Sequence, residues 1–67
     1  MRYLDFRSLI QEELRSNPDG LTWAELKGRL RLPYTTPCYT WIARMEQEIG
    51  LSRSRGPRGM IWRVADG

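Results

Sequence analysis

This sequence lacks the residues for a disulfide or a metal site that could cross-link so short a chain. It has one cysteine, Cys38, and no histidine within 67 residues, which excludes an intramolecular disulfide and leaves too few ligands for a zinc site. Chains of this size without disulfides or bound metals depend on a well-filled hydrophobic core. Three Trp, three Tyr and one Phe provide large apolar rings for such a core. We therefore expect one folded domain over residues 1–67.

The N-terminal segment has the spacing of an amphipathic helix. Its apolar residues recur every three or four positions, at Tyr3, Phe6, Ile10 and Leu14. The sequence NPDG at 17–20 then interrupts the pattern with residues typical of turns. These features predict a helix over about 3–16.

Thr22 and Glu25 mark the start of a second helix. A threonine followed three positions later by a glutamate can form a capping box, in which each side chain accepts from the backbone N–H of the other residue. The residue before Pro33 is disfavoured from helical geometry. We therefore predict a helix over about 23–30 and a connection over about 31–35.

A third helix is predicted over about 37–49. Thr36 offers a hydroxyl N-cap, Pro37 suits the first helical position, and Gly50 is typical of a helix end. The apolar stripe of this helix consists of Cys38, Trp41, Ile42, Met45 and Ile49. On this stripe Cys38 is expected to be a small core residue rather than a reactive thiol, since no histidine is present to activate it.

The C-terminal part predicts a β-hairpin. Its strands cover about 51–54 and 60–64, around a loop rich in Arg, Gly and Pro. We expect Met60, Trp62 and Val64 to share the inner face, with Ile61 and Arg63 pointing outward. The opposite register would bury an arginine. Trp62 is further expected to meet the two other tryptophans, Trp23 and Trp41, in the core.

The order of three helices and a hairpin within 67 residues resembles the winged helix-turn-helix family over nearly the whole chain. The densest match is TTPCYTWIARMEQEIGL at 35–51, which looks like the recognition helix of that family. The resemblance implies an α+β, mainly helical fold: a three-helix bundle with a C-terminal two-stranded hairpin. It also implies a DNA-binding module, expected to act in transcription regulation, with helix 37–49 in the major groove.

The third helix has an outward face that suits base recognition. At about 100° per residue, Thr40, Ala43, Arg44 and Gln47 face away from the apolar stripe. Arginine can bind guanine, glutamine can pair with adenine, and the methyl groups of Ala and Thr can contact thymine. The alternative is an ordinary solvated face, on which Arg44 pairs with Glu48 four residues later.

Other residues near the third helix are candidates for phosphate contacts. Thr35 and Thr36 are expected at the helix N-terminus, where backbone N–H groups favour a phosphate, and Tyr39 flanks the same face. Tyr34 in the preceding connection is expected either to cover the core or to contact the DNA backbone.

The hairpin is the main candidate for salt-dependent affinity. Arg53, Arg55 and Arg58 lie in a stretch without acidic residues between Glu48 and Asp66. A flexible basic tip of this kind, the wing at 53–59, can follow phosphates or enter a minor groove, and the resemblance implies this use. The alternative is a turn that serves only solubility.

The composition argues against an enzyme and against a membrane-spanning protein. Without histidine, a Gly-rich phosphate loop or a cluster of metal ligands, we expect no enzyme, no cofactor and no metal. No segment approaches the roughly 20 apolar residues of a membrane span, and Asp5 disfavours a signal peptide, so a cytoplasmic protein is expected.

Duplex DNA is the partner that these features favour. The net charge of +3 is modest, but all basic residues except Lys27 are arginines, which bind phosphate and guanine through a planar fork. The alternative is a winged-helix module that contacts a protein and no nucleic acid. A homodimer stays open, although no long additional helix is present to form one.

Overall fold

The computed structural model describes residues 1–65, which form three helices and a three-stranded sheet. The elements are α1 (Tyr3–Arg15), β1 (Leu21–Thr22), α2 (Trp23–Leu30), α3 (Tyr39–Glu48), β2 (Ser52–Gly56) and β3 (Gly59–Arg63). The sheet is antiparallel with the order β1-β3-β2. The predicted α+β class is confirmed, whereas the two-stranded hairpin is corrected to three strands. None of these helices combines the length and apolarity needed to cross a membrane.

The added strand, β1, consists of two residues between a turn and a helix cap. Leu21 pairs with Trp62 and Thr22 with Ile61, so β1 extends the hairpin on the β3 side. Two residues are too few to show the alternation that identifies a strand in sequence. Gly20 makes this pairing possible, because its φ is +94° and a Cβ at this position would collide with the Ile61 side chain.

The core takes buried side chains from all three helices and the sheet. Trp23 and Trp62 stack with their ring centroids 5.5 Å apart, while Trp41 lies 5.0 Å from Phe6, which in turn lies 6.3 Å from Trp23. The three tryptophans therefore meet partly through Phe6. The most completely buried side chains of the core include Phe6, Ile10, Leu14, Leu26, Met45 and Trp62.

Tyr34 covers this core from the connection between α2 and α3. Its ring makes edge contacts with Phe6 and Trp41, at centroid distances of 5.9 and 6.0 Å. Of the two roles that the sequence left open for Tyr34, the structure shows that its ring covers the core. The half-buried ring thus fixes the path of the chain into α3.

The predicted start of α2 is confirmed, whereas that of α3 is not. The capping box of α2 is confirmed, since Thr22 Oγ1 accepts from the Glu25 N–H at 3.1 Å and Glu25 Oε1 accepts from the Thr22 N–H at 2.8 Å. The predicted start of α3 is wrong. Cys38 is the N-cap with an extended backbone and no side-chain hydrogen bond, so Thr36 and Pro37 lie before the helix.

The late start of α3 has a physical cause and a consequence. The Trp23 indole N–H donates to the Thr35 carbonyl at 3.1 Å, which holds the connection against α2 instead of letting it coil into α3. Cys38 therefore lies outside the helical period that predicted its burial. Its side chain is exposed, and the expectation of a core residue is wrong.

The hairpin departs from the predicted pattern in three respects: its turn, the exposure of Met60 and the burial of Ile61. β2 runs to Gly56 and β3 begins at Gly59, so a tight two-residue turn replaces the predicted loop. Trp62 is buried and Val64 half-buried, as expected, but Met60 is 42% exposed because it pairs with Arg55 next to the turn. Ile61 faces away from Trp62 yet is buried, beside Gly20 and Gly56.

Candidate nucleic-acid interface

The outward face of α3 brings together the residues predicted for base recognition. Thr40, Ala43, Arg44 and Gln47 are all exposed and, together with Glu48, line an open depression of about 420 Å³. They lie opposite Ile42 and Met45, which are buried. The apolar stripe of the helix therefore positions this face toward solvent.

Arg44 makes contacts on two sides. Its Nε donates to Glu48 Oε2 at 3.1 Å, which is the pairing along the helix that the sequence offered as the alternative. Its Cζ also lies 3.9 Å from the centroid of the Tyr3 ring. The guanidinium is thus held by a carboxylate and an aromatic face, while half of the side chain remains exposed.

Glu48 is the centre of a polar cluster between α1 and α3. Besides Arg44, it accepts from Arg7 Nη1 at 2.6 Å and from the Tyr3 hydroxyl at 2.9 Å. The hydrogen bond from Arg7, followed by that from Tyr3, lowers the pKa of the Glu48 carboxyl. Conversely, burial and then the hydrogen bond to Glu48 raise the pKa of the Tyr3 phenol. Sequence reasoning found only the Arg44 pair, since the other donors lie on α1.

The residues proposed for phosphate contacts are less closely grouped. Tyr39 is 74% exposed at the first position of α3. Thr35 and Thr36 are exposed but lie before the N-cap, so their predicted position at the helix N-terminus is wrong. The amide groups that open α3 have no side-chain cap from Cys38.

The three predicted arginines of the hairpin have different surroundings. Arg53 is half-buried with its Cζ 5.7 Å from the Trp62 ring centroid, opposite Trp62 in the sheet. Arg55 is exposed and has no ion pair within residues 1–65. Arg58, in the turn, forms an ion pair with Glu25, Nη1 to Oε2 at 2.8 Å.

A fourth arginine of the hairpin was assigned no role from the sequence. Arg63, at the end of β3, is exposed and donates to the Ser54 hydroxyl at 3.2 Å. Its outward direction was predicted correctly from the alternation of β3. Its side chain lies on the opposite face of the hairpin from Arg55, because Arg63 pairs with Ser52 whereas Arg55 pairs with Met60. The acid-free stretch of sequence was the available signal for Arg63.

Glu25 joins the hairpin tip to the start of α2. One carboxylate oxygen completes the capping box with the Thr22 N–H and the other accepts from Arg58. The hydrogen bond from the Thr22 backbone, and to a smaller extent the charge of Arg58, lowers the pKa of the Glu25 carboxyl. The predicted flexible tip is therefore a turn that is attached to the helical part of the domain.

An aromatic cavity lies apart from these polar surfaces. It has a volume of about 360 Å³ and opens between α1 and the connection that leads to α3. Sequence reasoning did not find it, because it depends on the position of Tyr34 over the core. Among residues 1–65 no charged side chain lines it, and its walls are Met1, Phe6, Trp23, Tyr34, Cys38 and Trp41.

Comparisons with known proteins found no family model, no curated protein and no solved structure that matches this chain.

Proposed function

We propose that this chain is a winged helix-turn-helix module that binds duplex DNA and regulates transcription without catalysing a reaction. The outward face of α3 would lie in the major groove, and the hairpin would contact the backbone or the minor groove. The proposal of DNA binding depends most on one observation, the concentration of arginines on the hairpin. Among its four arginines only Arg58 pairs with a carboxylate within the described part of the chain.

The hairpin supports the proposal through charge and shape. Arg55 and Arg63 are exposed, and Arg58 is exposed over about half of its side chain, at 55%. An exposed ion pair such as that of Arg58 with Glu25 contributes little free energy, so a phosphate can replace the carboxylate. Release of counterions from DNA would then supply affinity. The narrow two-residue turn is also slender enough to approach a groove.

The helix supports the proposal through the chemistry of its exposed face. Thr40, Ala43 and Gln47 present small or amide side chains beside Arg44, and an α-helix fits the major groove. The uncapped amides at the start of α3, next to the exposed Tyr39, add a place for one phosphate. Contacts of this kind orient a helix in the groove, while base edges provide sequence preference.

The proposal is tested by titrating a mixed-sequence fluorescent duplex with the protein at low salt and measuring anisotropy. We expect binding that weakens as salt increases, because phosphate contacts release counterions. Changing Arg55 and Arg58 together to alanine should reduce the slope of log affinity against log salt by about 2. Absence of binding at low salt, or an unchanged slope in this variant, would contradict the proposal.

Arg15→Gln is the matched control for charge. Arg15 is an exposed arginine at the end of α1, and it lies beside Arg63. Arg63 pairs with Ser52, at the end of the hairpin farthest from its turn. The control removes one positive charge at the base of the hairpin, away from the turn, and should reduce the salt slope by clearly less than the removal of Arg55 and Arg58 does.

A protein partner is the second candidate, and the aromatic cavity favours it. An apolar recess lined by Trp23, Tyr34 and Trp41 is the kind of surface that accepts an anchoring side chain from a partner. Chemical-shift mapping distinguishes the two candidates. Shifts of α3 and hairpin amides on addition of a duplex favour DNA, whereas an unchanged spectrum favours the protein partner.

A further inference from the structure

Arg44 is held more firmly than an exposed arginine on a helix usually is. A pair of oppositely charged residues four positions apart stabilises a helix only slightly and leaves both side chains mobile. Here Glu48 is itself fixed by Arg7 and Tyr3 from a different helix, and the Tyr3 ring lies against the Arg44 guanidinium. These contacts favour one rotamer of Arg44 in the free protein.

The way in which Arg44 is held determines which of its donors remain available. Nε is occupied by Glu48 Oε2 at 3.1 Å, and within residues 1–65 neither terminal nitrogen makes a hydrogen bond. These two nitrogens form the end-on fork of the guanidinium. Such a fork matches the O6 and N7 acceptors of guanine in the major groove.

We propose that Glu48 is a positioning residue that, with Tyr3, presents the end-on fork of Arg44 to a guanine. This inference rests on the proposed function and adds to it the base that α3 prefers. Immobilising a long side chain on binding costs conformational entropy, and a side chain that is already ordered avoids most of this cost. Glu48 therefore contributes to base preference although its own charge repels phosphate.

The Tyr3 and Arg7 contacts explain how an acidic residue is tolerated at this interface. The cluster combines two guanidinium groups with one carboxylate, so its formal charge is positive. Glu46 lacks this arrangement, since it is exposed and makes no hydrogen bond or ion pair in the described chain. The two glutamates of α3 thus differ in surroundings while sharing charge and helix.

The test compares Glu48→Gln with Glu46→Gln, which remove the same charge from the same helix. Each protein is incubated with a randomised duplex library, and bound duplexes are sequenced. Wild type should prefer guanine about tenfold or more at one position, and Arg44→Ala, which abolishes this preference, identifies the position. We expect Glu48→Gln to reduce the guanine preference severalfold and Glu46→Gln to retain it.

Glu48→Asp and an NMR measurement guard against a merely structural effect. The shorter acid keeps the charge but cannot reach Arg44 as Glu48 does, so it should also lose preference. The Arg44 Nε proton should exchange slowly in wild type and faster in both Glu48 variants, while far-UV circular dichroism stays unchanged.

The outcomes separate this inference from the proposed function. If wild type binds no duplex, the proposed function fails and the inference fails with it. If wild type binds with a guanine preference that Glu48→Gln retains, only the inference is overturned. An equal loss of preference in Glu48→Gln and Glu46→Gln also overturns it, because charge alone would then explain the effect.

Discussion

The hairpin and α3 expose arginines in different ways. On α3, Arg44 is paired with Glu48 and lies against Tyr3, so its position is set by neighbours from two helices. On the hairpin, Arg55 has no acidic partner in residues 1–65, and Arg58 has only Glu25. The backbone of the hairpin is well anchored while its charges remain largely available.

This difference suggests a division of labour within the proposed interface. Charges that remain available contribute affinity that depends on salt and is insensitive to base sequence. A cation paired with a carboxylate contributes less long-range attraction, and a cation held in one orientation can discriminate between bases. The polar cluster around Glu48 and the buried Trp62 that anchors the hairpin can be disrupted by separate substitutions, so the two regions can be tested independently.

The largest effect is expected from removing the anchor of the hairpin. Trp62 is 1% exposed and stacks on Trp23, so Trp62→Ala should lower the free energy of unfolding by about 3–5 kcal/mol. Urea unfolding followed by circular dichroism measures this change. Met60→Ala, on the same strand but exposed, should shift it by less than about 0.5 kcal/mol. Equal effects of both variants would mean that Trp62 is not the anchor.

Gly20→Ala should weaken the junction between the helices and the sheet. An alanine at φ +94° is strained, and its Cβ would collide with Ile61, so we expect a loss of about 1–3 kcal/mol in the free energy of unfolding. Gly28→Ala is the control, because it lies in α2 with open space around it. It should stabilise the protein by about 0.5–1 kcal/mol. The comparison fails if the two variants change stability in the same direction.

The two threonines that the sequence suggested as caps should behave differently. Thr22→Ala removes a confirmed cap and should cost about 1 kcal/mol of stability in thermal unfolding. Thr36→Ala should change stability by less than about 0.5 kcal/mol, since Thr36 lies before the helix that it was expected to cap. A similar cost for both would indicate that α3 begins earlier than described.

Acidification should affect both regions, because each uses a glutamate with a lowered pKa. For Glu25 and Glu48 the folded pKa lies below the usual value of 4.5, so their stabilisation is present above that pH and disappears as the pH falls through the folded pKa. The thermal midpoint should therefore decrease between pH 6 and pH 3. In Glu25→Gln/Glu48→Gln this decrease should be smaller. An identical pH profile in the double variant would contradict the pKa directions.

Much of the fold was predictable because local signals marked it. The spacing of Tyr3, Phe6, Ile10 and Leu14 predicted α1, and the capping box at Thr22 placed the start of α2 correctly. The start of α3 was wrong because a good local signal, Thr36-Pro37, was overridden by the Trp23 contact with Thr35. A hydrogen bond between residues 12 positions apart has no local signature.

The candidate site was predictable in its residue types but not in its electrostatics. Helical periodicity correctly placed Thr40, Ala43, Arg44 and Gln47 on one exposed face. The four-residue spacing also offered the pair of Arg44 with Glu48. The donors Arg7 and Tyr3 came from more than 40 positions away. Such partners are invisible until packing brings α1 against α3.

The sequence by itself determined the three helices except for the start of α3, the hairpin except for its turn, and the outward face of α3, because these follow from periodicity, caps and turns within a few residues. Only the tertiary structure decided that Leu21 and Thr22 form a strand with β3 and that Arg58 attaches to Glu25. It also decided that Glu48 gathers donors from two helices. These contacts join distant positions, and their geometry exists only once the core has packed.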